Sequence, residues 1–328
     1  MSHEWIIALS SFLTCVAVLP IVKYLATRWH VHDMPGHLKI HSVPIPRLGG
    51  IAIAAGLAAG LLSVESSLQN HGWIICAAIF VVWSAGLLDD LFNLSPQSRL
   101  VAQVIAGLLV SATPWGLHIF GVWALNAVAT CLFVVVFVNS FNFLDGSDGV
   151  AGGVAGLVAL GYAILYGAHV ANLGAAIAWS LLSVSIGFLI FNFPPAKIFM
   201  GDSGSTLLGF LVAFLGLDFY RSHYAIGTHF LLPVVFAGLP LMDFLLAVLR
   251  RLRKRVSPFS GDRQHFYDLL LQKGWTARPV AVGAYAVTGT LLVTGWFYDQ
   301  WTSVISLTML CVTVGYLLFT AIRLGSLR

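Results

Sequence analysis

Two adjacent carboxylates, Asp89 and Asp90, end an apolar run in the stretch GLLDD (86–90). On a helix they would stand at its C-terminus, where the dipole favours cations over acids. Side by side they also repel, so at least one needs a proton, a cation or a metal. A second stretch, NSFNFLDGSDG (139–149), follows CLFVVVFV and delivers Asn139, Asn142, Asp145 and Asp148 together. Such residues form turns. Four hydrogen-bonding side chains among aromatic and aliphatic ones also make a pocket wall, and Gly146 and Gly149 permit close backbone approach. A third stretch, NFPPAKIFMGDSGSTLLG (192–209), breaks at Pro194-Pro195, presents Lys197 and opens another apolar run with Gly-Asp-Ser-Gly-Ser. Asp202 or Ser203 can be an N-cap there. A helix N-terminus among glycines equally suits phosphate or pyrophosphate. Asp202 and the Asp89/Asp90 pair could together hold Mg²⁺, a hard ion that takes one or two carboxylates plus phosphate oxygens. The stretch is not a P-loop, because it lacks G-x-x-x-x-G-K-[ST].

Three further segments carry polar chemistry. RRLRKRVSPFSGDRQHFYDLLLQKG (250–274) begins with a basic run that reads as a cytoplasmic anchor. Its DRQHFYD portion places Arg263, His265, Tyr267 and Asp268 close together; Arg263 can hold a phosphate, and His265 can bond one or titrate near neutral pH. HDMPGHLKIHSVPIPRLGG (32–50) carries Asp33, Lys39, His41 and Arg47. The spacing of His30, His32 and His37 matches no common zinc site. Asp243, in PLMDFLLAVLRR, falls inside an apolar run, where acids are functional by default; the alternative is a pair with Arg250, about two turns on.

The elements that must position these residues are membrane helices. Of 328 residues, 59% are hydrophobic and only 9% are charged, against about 25% charged in soluble domains. The expected fold is all-α, one polytopic membrane domain over residues 1–328. Runs of roughly 20 apolar residues fall near 5–25, 48–66, 73–89, 100–118, 122–142, 149–168, 171–192, 203–220, 228–249, 279–298 and 303–322. That gives about eleven spans, or ten if WGLHIFGVW (115–123) is no break. The runs are too long and continuous for barrel strands. The first run has its acid before it and its bases after it, unlike a signal peptide, so it reads as a retained span. The four cysteines lie in apolar runs without a C-x-x-C pair, which suggests neither disulfides nor a thiolate metal site. With the N-terminus periplasmic and the C-terminus cytoplasmic, every Lys and Arg except Arg221 lies in the cytoplasm. Most acids gather on that side too, in loops near 26–47, 90–99, 143–148, 193–202 and 250–278. A face that collects acids, amides, histidines and bases suits a charged, phosphorylated, cytosolic molecule.

Taken in order, D-x-P…K-x-H…P-R-L-G-G (33–50), L-L-D-D (87–90), N-x-x-N-F-L-D-G-x-D-G (139–149), F-M-G-D-S-G-S (199–205) and S-P-F-S-x-D-R-Q-H (257–265) carry a resemblance. The chain resembles the polyprenyl-phosphate N-acetylhexosamine-1-phosphate transferases, glycosyltransferase family 4, over about residues 33–275. The superfamily includes the phospho-MurNAc-pentapeptide translocase. The resemblance implies transfer of a sugar phosphate from a UDP-N-acetylhexosamine to undecaprenyl phosphate, with UMP released, as the first membrane step of a cell-surface glycan. It implies catalytic roles for Asp89 and Asp90 and a metal site of Asp202 with Asn142 for Mg²⁺, or Mn²⁺ in its place. Asp145 and Asp148 would lie at the nucleotide, and His265 at the diphosphate or sugar. Lys39, His41, Asn139, Lys197 and Arg263 complete the candidate substrate-binding set. Members often carry a run of histidines in the last loop, whereas this chain has His265-Phe266-Tyr267-Asp268, a departure that bears on the sugar.

The implied location is a bacterial inner membrane, multi-pass, with the bilayer and the two substrates as partners, a homodimer allowed and no nucleic acid. A lipid phosphate is already largely ionised, since its second pKa is near 6. Asp89 can be the base toward the lipid phosphate, as the resemblance implies, or Asp89 or Asp90 can instead bind a cation or orient the nucleophile. The rival readings are a translocase of the peptidoglycan type and an ion-coupled transporter, which would place its polar groups near the bilayer midplane.

Overall fold

A computed structural model describes residues 3–36, 43–63, 71–167, 172–222, 231–257, 261–300 and 304–326. The chain is an all-α, multi-pass membrane protein. Among the described residues, seven helices are long and apolar enough to cross a bilayer. They are α1 (His3–Arg28), α3 (Gly72–Phe92), α5 (Trp123–Leu144), α7 (Leu173–Asn192), α8 (Gly201–Ser222), α12 (Ala277–Gln300) and α13 (Val304–Leu324). Two shorter apolar helices, α2 (Gly49–Leu62) and α6 (Val150–Tyr166), pack among them. The remaining helices are α4 (Pro96–Ser111), α9 (Leu231–Phe236), α10 (Gly238–Arg253) and α11 (Phe266–Gln272). One small antiparallel pair, β1 (His32–Asp33) with β2 (Ile45–Pro46), joins the loop before α2.

Two expected spans take a different form. The run near 100–118 becomes α4, which starts earlier, with Pro96 at its first turn and the Ser95 hydroxyl accepting the Ser98 N–H (3.2 Å). It stops at Ser111, and residues 112–122, which include all of WGLHIFGVW except Trp123, form a loop instead of continuing the helix. That loop's backbone donors are met by α5: Leu117 N donates to Thr130 Oγ1 (2.9 Å), and Ile119 and Phe120 N to Asn126 Oδ1 (2.9 and 2.8 Å). The run near 228–249 is split into α9 and α10 at Ala237. Pro240, which has no N–H to donate, is tolerated there because it falls in the first turn of α10.

Helix α8 is the axis of the bundle, with α2, α3, α5, α6, α7 and α9 packed around it. Apolar surface gains nothing by leaving lipid for another apolar helix, so association depends on close packing and on polar cross-links. Both are present. A Cβ on Gly50 of α2 would come 2.3 Å from Gly204 N, and one on Gly86 of α3 would come 2.6 Å from the Asp202 carbonyl. These backbones touch because nothing larger than hydrogen separates them. At the C-terminal end of α8, buried Asp218 accepts from Trp115 Nε1 (2.6 Å) and Tyr166 Oη (2.7 Å), with Arg221 Nη2 at 3.6 Å. This ties the 112–122 loop, α6 and α8 together.

Candidate active site

The N-terminal end of α8 gathers the candidate chemistry. The loop before α2 runs beside it: Phe199 N donates to Pro46 O (2.9 Å), and Gly49 N and Gly50 N donate to Phe199 O and Met200 O (2.9 and 2.8 Å). Gly201 then turns with φ +71°, and a Cβ there would sit 2.5 Å from the Asp90 carboxylate. Only glycine meets both demands.

The Asp89/Asp90 pair is divided by its surroundings. Asp90, 2% exposed, reaches across from the end of α3 and caps α8. Its Oδ1 accepts Asp202 N (2.8 Å), and its Oδ2 accepts Ser203 N (3.0 Å) and Ser203 Oγ (2.7 Å). The unfavourable dipole of its own helix is thus offset by the favourable N-terminus of another. Arg47 Nη2 donates to the Asp90 carbonyl (2.7 Å), supplying the cation that the end of α3 prefers. Asp89 points elsewhere, toward Arg99 of α4, whose Nη1 donates to Asp89 Oδ2 (3.0 Å) and also to Asp202 Oδ2. Asn142 of α5 donates from Nδ2 to Asp202 Oδ1 and to Ser205 Oγ (both 3.0 Å). Two carboxylates from different helices therefore converge on one guanidinium, with an amide alongside. Asp202 and Arg99 each keep 28% of their side-chain surface open and Asp89 keeps 12%, so the cluster is accessible.

The other candidates are spread around this centre. Asp145 ends α5 one turn from Asn142. Asp148 Oδ2 accepts Ala196 N (2.9 Å), fastening the 145–149 turn to the Pro-Pro turn. Lys197 is exposed beside that turn. Asn139 does not join the carboxylates: its Nδ2 donates to Gln103 Oε1 (2.6 Å) and to Val135 O (2.8 Å), bonding α5 to α4. Lys39 and His41 lie outside the described residues.

The last loop folds against the end of α5. Tyr267 Oη donates to Phe143 O (2.9 Å), and the Arg251 guanidinium lies 4.8 Å from the Phe143 ring centroid. His265 stacks on Tyr267 and meets Phe143 edge-on, each at 5.5 Å. Arg263 Nε lies 3.6 Å from Asp268 Oδ1. Burial pushes the Asp268 carboxyl above the ordinary carboxylate range, against the pull of His265 and Arg263.

Two readings of this loop change. The basic run is not all anchor, because Arg250 and Arg251 are buried, 1% and 3% exposed. Arg250 donates to both oxygens of Asp262 (Nε to Oδ2 and Nη2 to Oδ1, each 3.0 Å) and through Nη1 to Ser326 O (2.5 Å); Arg251 Nη2 adds a bond to Asp262 Oδ1 (3.1 Å). Burial pushes the Asp262 carboxyl up, but the bonds and charges of Arg251 and Arg250 outweigh it and hold the group below the usual range. Asp243 does not pair with Arg250 but with His265.

Arg99 and Asp243 are the residues that reasoning by motif left out of the site. Arg99 carried a signal, as a lone cation at the head of an apolar helix. Asp243 carried one in its apolar surroundings, although its partner did not.

The molecule is thus a multi-pass helical membrane bundle with carboxylates, an amide and basic groups gathered at one end of its central helix. Residues 72–220 match the family model described as glycosyl transferase family 4. A Bacillus subtilis protein named "Probable undecaprenyl-phosphate N-acetylglucosaminyl 1-phosphate transferase" is 30% identical over 84% of this chain and 80% of its own length. The undecaprenyl-phosphate alpha-N-acetylglucosaminyl 1-phosphate transferase of Yersinia pestis is 30% identical over 96% of this chain and 91% of its own. The decaprenyl-phosphate N-acetylglucosaminephosphotransferase of Mycobacterium tuberculosis is 30% identical, with 85% and 78% covered. The chain belongs to glycosyl transferase family 4.

Proposed function

We propose that this chain transfers N-acetylhexosamine 1-phosphate, with N-acetylglucosamine the favoured sugar, from a UDP-sugar to undecaprenyl phosphate at a bacterial inner membrane. An oxygen of the lipid phosphate attacks the sugar-bearing phosphorus. The bond to the bridging oxygen breaks, and UMP leaves with that oxygen. An ionised lipid phosphate needs no proton removed, so this chain's residues have mainly to position and neutralise. The observation that carries the reading is the convergence of Asp89 and Asp202 on Arg99, beside Asn142, at the end of a bundle built to lie in lipid.

The Asp89 and Asp202 carboxylates offer hard oxygens that fit Mg²⁺, an ion that takes one or two carboxylates and fills its shell with phosphate and water, and Asn142, whose Nδ2 faces Asp202, would add its amide oxygen by turning the amide. Asp202 and Asn142, with Asp89 nearby, would hold it, and it would neutralise charge on the diphosphate and the leaving group. Asp90 keeps Asp202 in place by fixing the first turn of α8. Arg99 balances the two carboxylates. The 145–149 turn faces the nucleotide, and the His265 loop faces its diphosphate or sugar. The sequence supports an eleven-span path with this face in the cytoplasm and a role in the first membrane step of a surface glycan.

The test is UMP release by purified protein in detergent, with undecaprenyl phosphate, Mg²⁺ and a panel of UDP-N-acetylhexosamines. UMP is expected to require both lipid and metal, to stop with EDTA and to fall at least a hundredfold in Asp202→Asn, about 2.7 kcal/mol of transition-state stabilisation. Release that ignores the lipid would overturn the transfer, and release that ignores the metal would overturn the role of Asp202.

A further inference from the structure

Asp243 lies on α10, 5% exposed, with both carboxylate oxygens engaged. Oδ2 meets His265 Nδ1 at 2.6 Å, and Oδ1 accepts Phe266 N at 2.9 Å. The first bond orients the imidazole and the second secures the first turn of α11. An ionised carboxylate can only accept, so Nδ1 of His265 carries the proton and Nε2 is the nitrogen left to act. The ring has little freedom to turn, being stacked on Tyr267 with 8° between planes and edge-on to Phe143 at 77°. The charged and titratable groups around it are Asp243 from α10, Asp262 with Oδ1 3.8 Å from Nε2, Arg251 across Phe143, and Arg263, Tyr267 and Asp268 from its own loop and α11.

Resting on the transferase reading, we propose that Asp243 is a positioning residue for the reaction. By holding Nδ1–H of His265 and the N-terminus of α11 with one carboxylate, it fixes the tautomer and ring orientation in which Nε2 is offered as an acceptor to a hydroxyl or N–H group of the sugar nucleotide. Histidines that bind metals are oriented by carboxylates in the same way, and loss of the partner there costs about 10–100-fold.

The informative variant is Asp243→Asn. Its Oδ1 still accepts Phe266 N–H, so α11 keeps its anchor. Its Nδ2 becomes a donor toward His265, which reverses the tautomer and places the proton on Nε2. The full chain in detergent, assayed by UMP release with UDP-N-acetylglucosamine, should lose about 10–100-fold in kcat/KM, with the loss falling on KM for the nucleotide sugar more than on kcat. In a His265→Ala background the same substitution should change kcat/KM by less than twofold, because its effect passes through the ring. A loss that persists undiminished in that background, or an Asp243→Asn enzyme equal to wild type, would overturn the proposal.

A second readout does not depend on turnover. ¹⁵N magic-angle-spinning spectra of histidine-labelled protein, with the His265 signal identified by its absence in His265→Gln, should show Nδ1–H in wild type and Nε2–H in Asp243→Asn. The same tautomer in both overturns the clamp. Wild-type protein that releases no UMP from any sugar overturns the transferase reading instead, and the spectra still decide whether Asp243 sets the ring.

Discussion

At the scale of the residue, Asp89 and Asp90 are adjacent in sequence and opposite in circumstance. Asp90 is saturated by three donors from α8, whereas Asp89 shares an arginine with Asp202. Asp90→Asn turns one accepting oxygen into a donor facing donors, so it should destabilise the protein by about 1–3 kcal/mol and lower UMP release through loss of folded enzyme. Asp89→Asn should keep the wild-type melting temperature and lose turnover. Thermal unfolding in detergent beside the UMP assay separates the two, and equal melting temperatures would show that Asp90 is no cap. The Asp262 clasp makes a prediction about pH. Its carboxyl is held below the usual range, so the stability it contributes is complete above the unfolded value near 3.9 and fades only as pH falls through the lower folded value. Limited proteolysis of the 254–265 segment should therefore give one rate from pH 5.5 to 8, and faster cutting toward pH 6 would contradict the clasp.

At the scale of the element, the site depends on how closely α3 and α2 approach the first turn of α8. Gly86→Ala would place a methyl 2.6 Å from the Asp202 carbonyl. Backbone must move to admit it, at a cost of about 1–3 kcal/mol, and Asp89 and Asp90 move with α3. The expected result is a lower melting temperature together with a larger fractional loss of UMP release; wild-type values for both would mean that α3 and α8 are not locked here. These contacts were only partly legible. GLLDD, N-x-x-N and F-M-G-D announce polar ends of apolar runs, because composition changes abruptly there. That Asp90 serves α8, or that Arg99 bridges two acids, depends on pairs separated by more than a hundred residues, which no local pattern records. WGLHIFGVW blurs the gap between two spans for a related reason. Its hydropathy fits a span, but its buried backbone donors are satisfied by Asn126 and Thr130 rather than by a helix of its own. The α9–α10 break had a visible cue in Pro233 and Pro240, although an apolar run does not tell a kinked span from a straight one.

At the scale of the whole molecule, the membrane character was plain from composition, because so few charges cannot clothe a protein in water. The arrangement around α8 was not, since every apolar run looks equally able to be central. The helix that proves central carries an acid at each end. Asp202 is gripped by Asn142 and Arg99, and Asp218 by Trp115 and Tyr166. Twenty-two residues of helix span about 33 Å, close to the roughly 30 Å hydrocarbon thickness of a bilayer. Neither end can slide without breaking its grip, so α8 behaves as a gauge block rather than a spring. In vesicles of phosphatidylcholines with progressively longer acyl chains, UMP release should pass through an optimum near that thickness and fall on either side as the lipid deforms to fit, whereas a flat profile would show that the bundle yields. The bilayer would then set the rate of this chemistry by its depth as well as by the substrate it supplies.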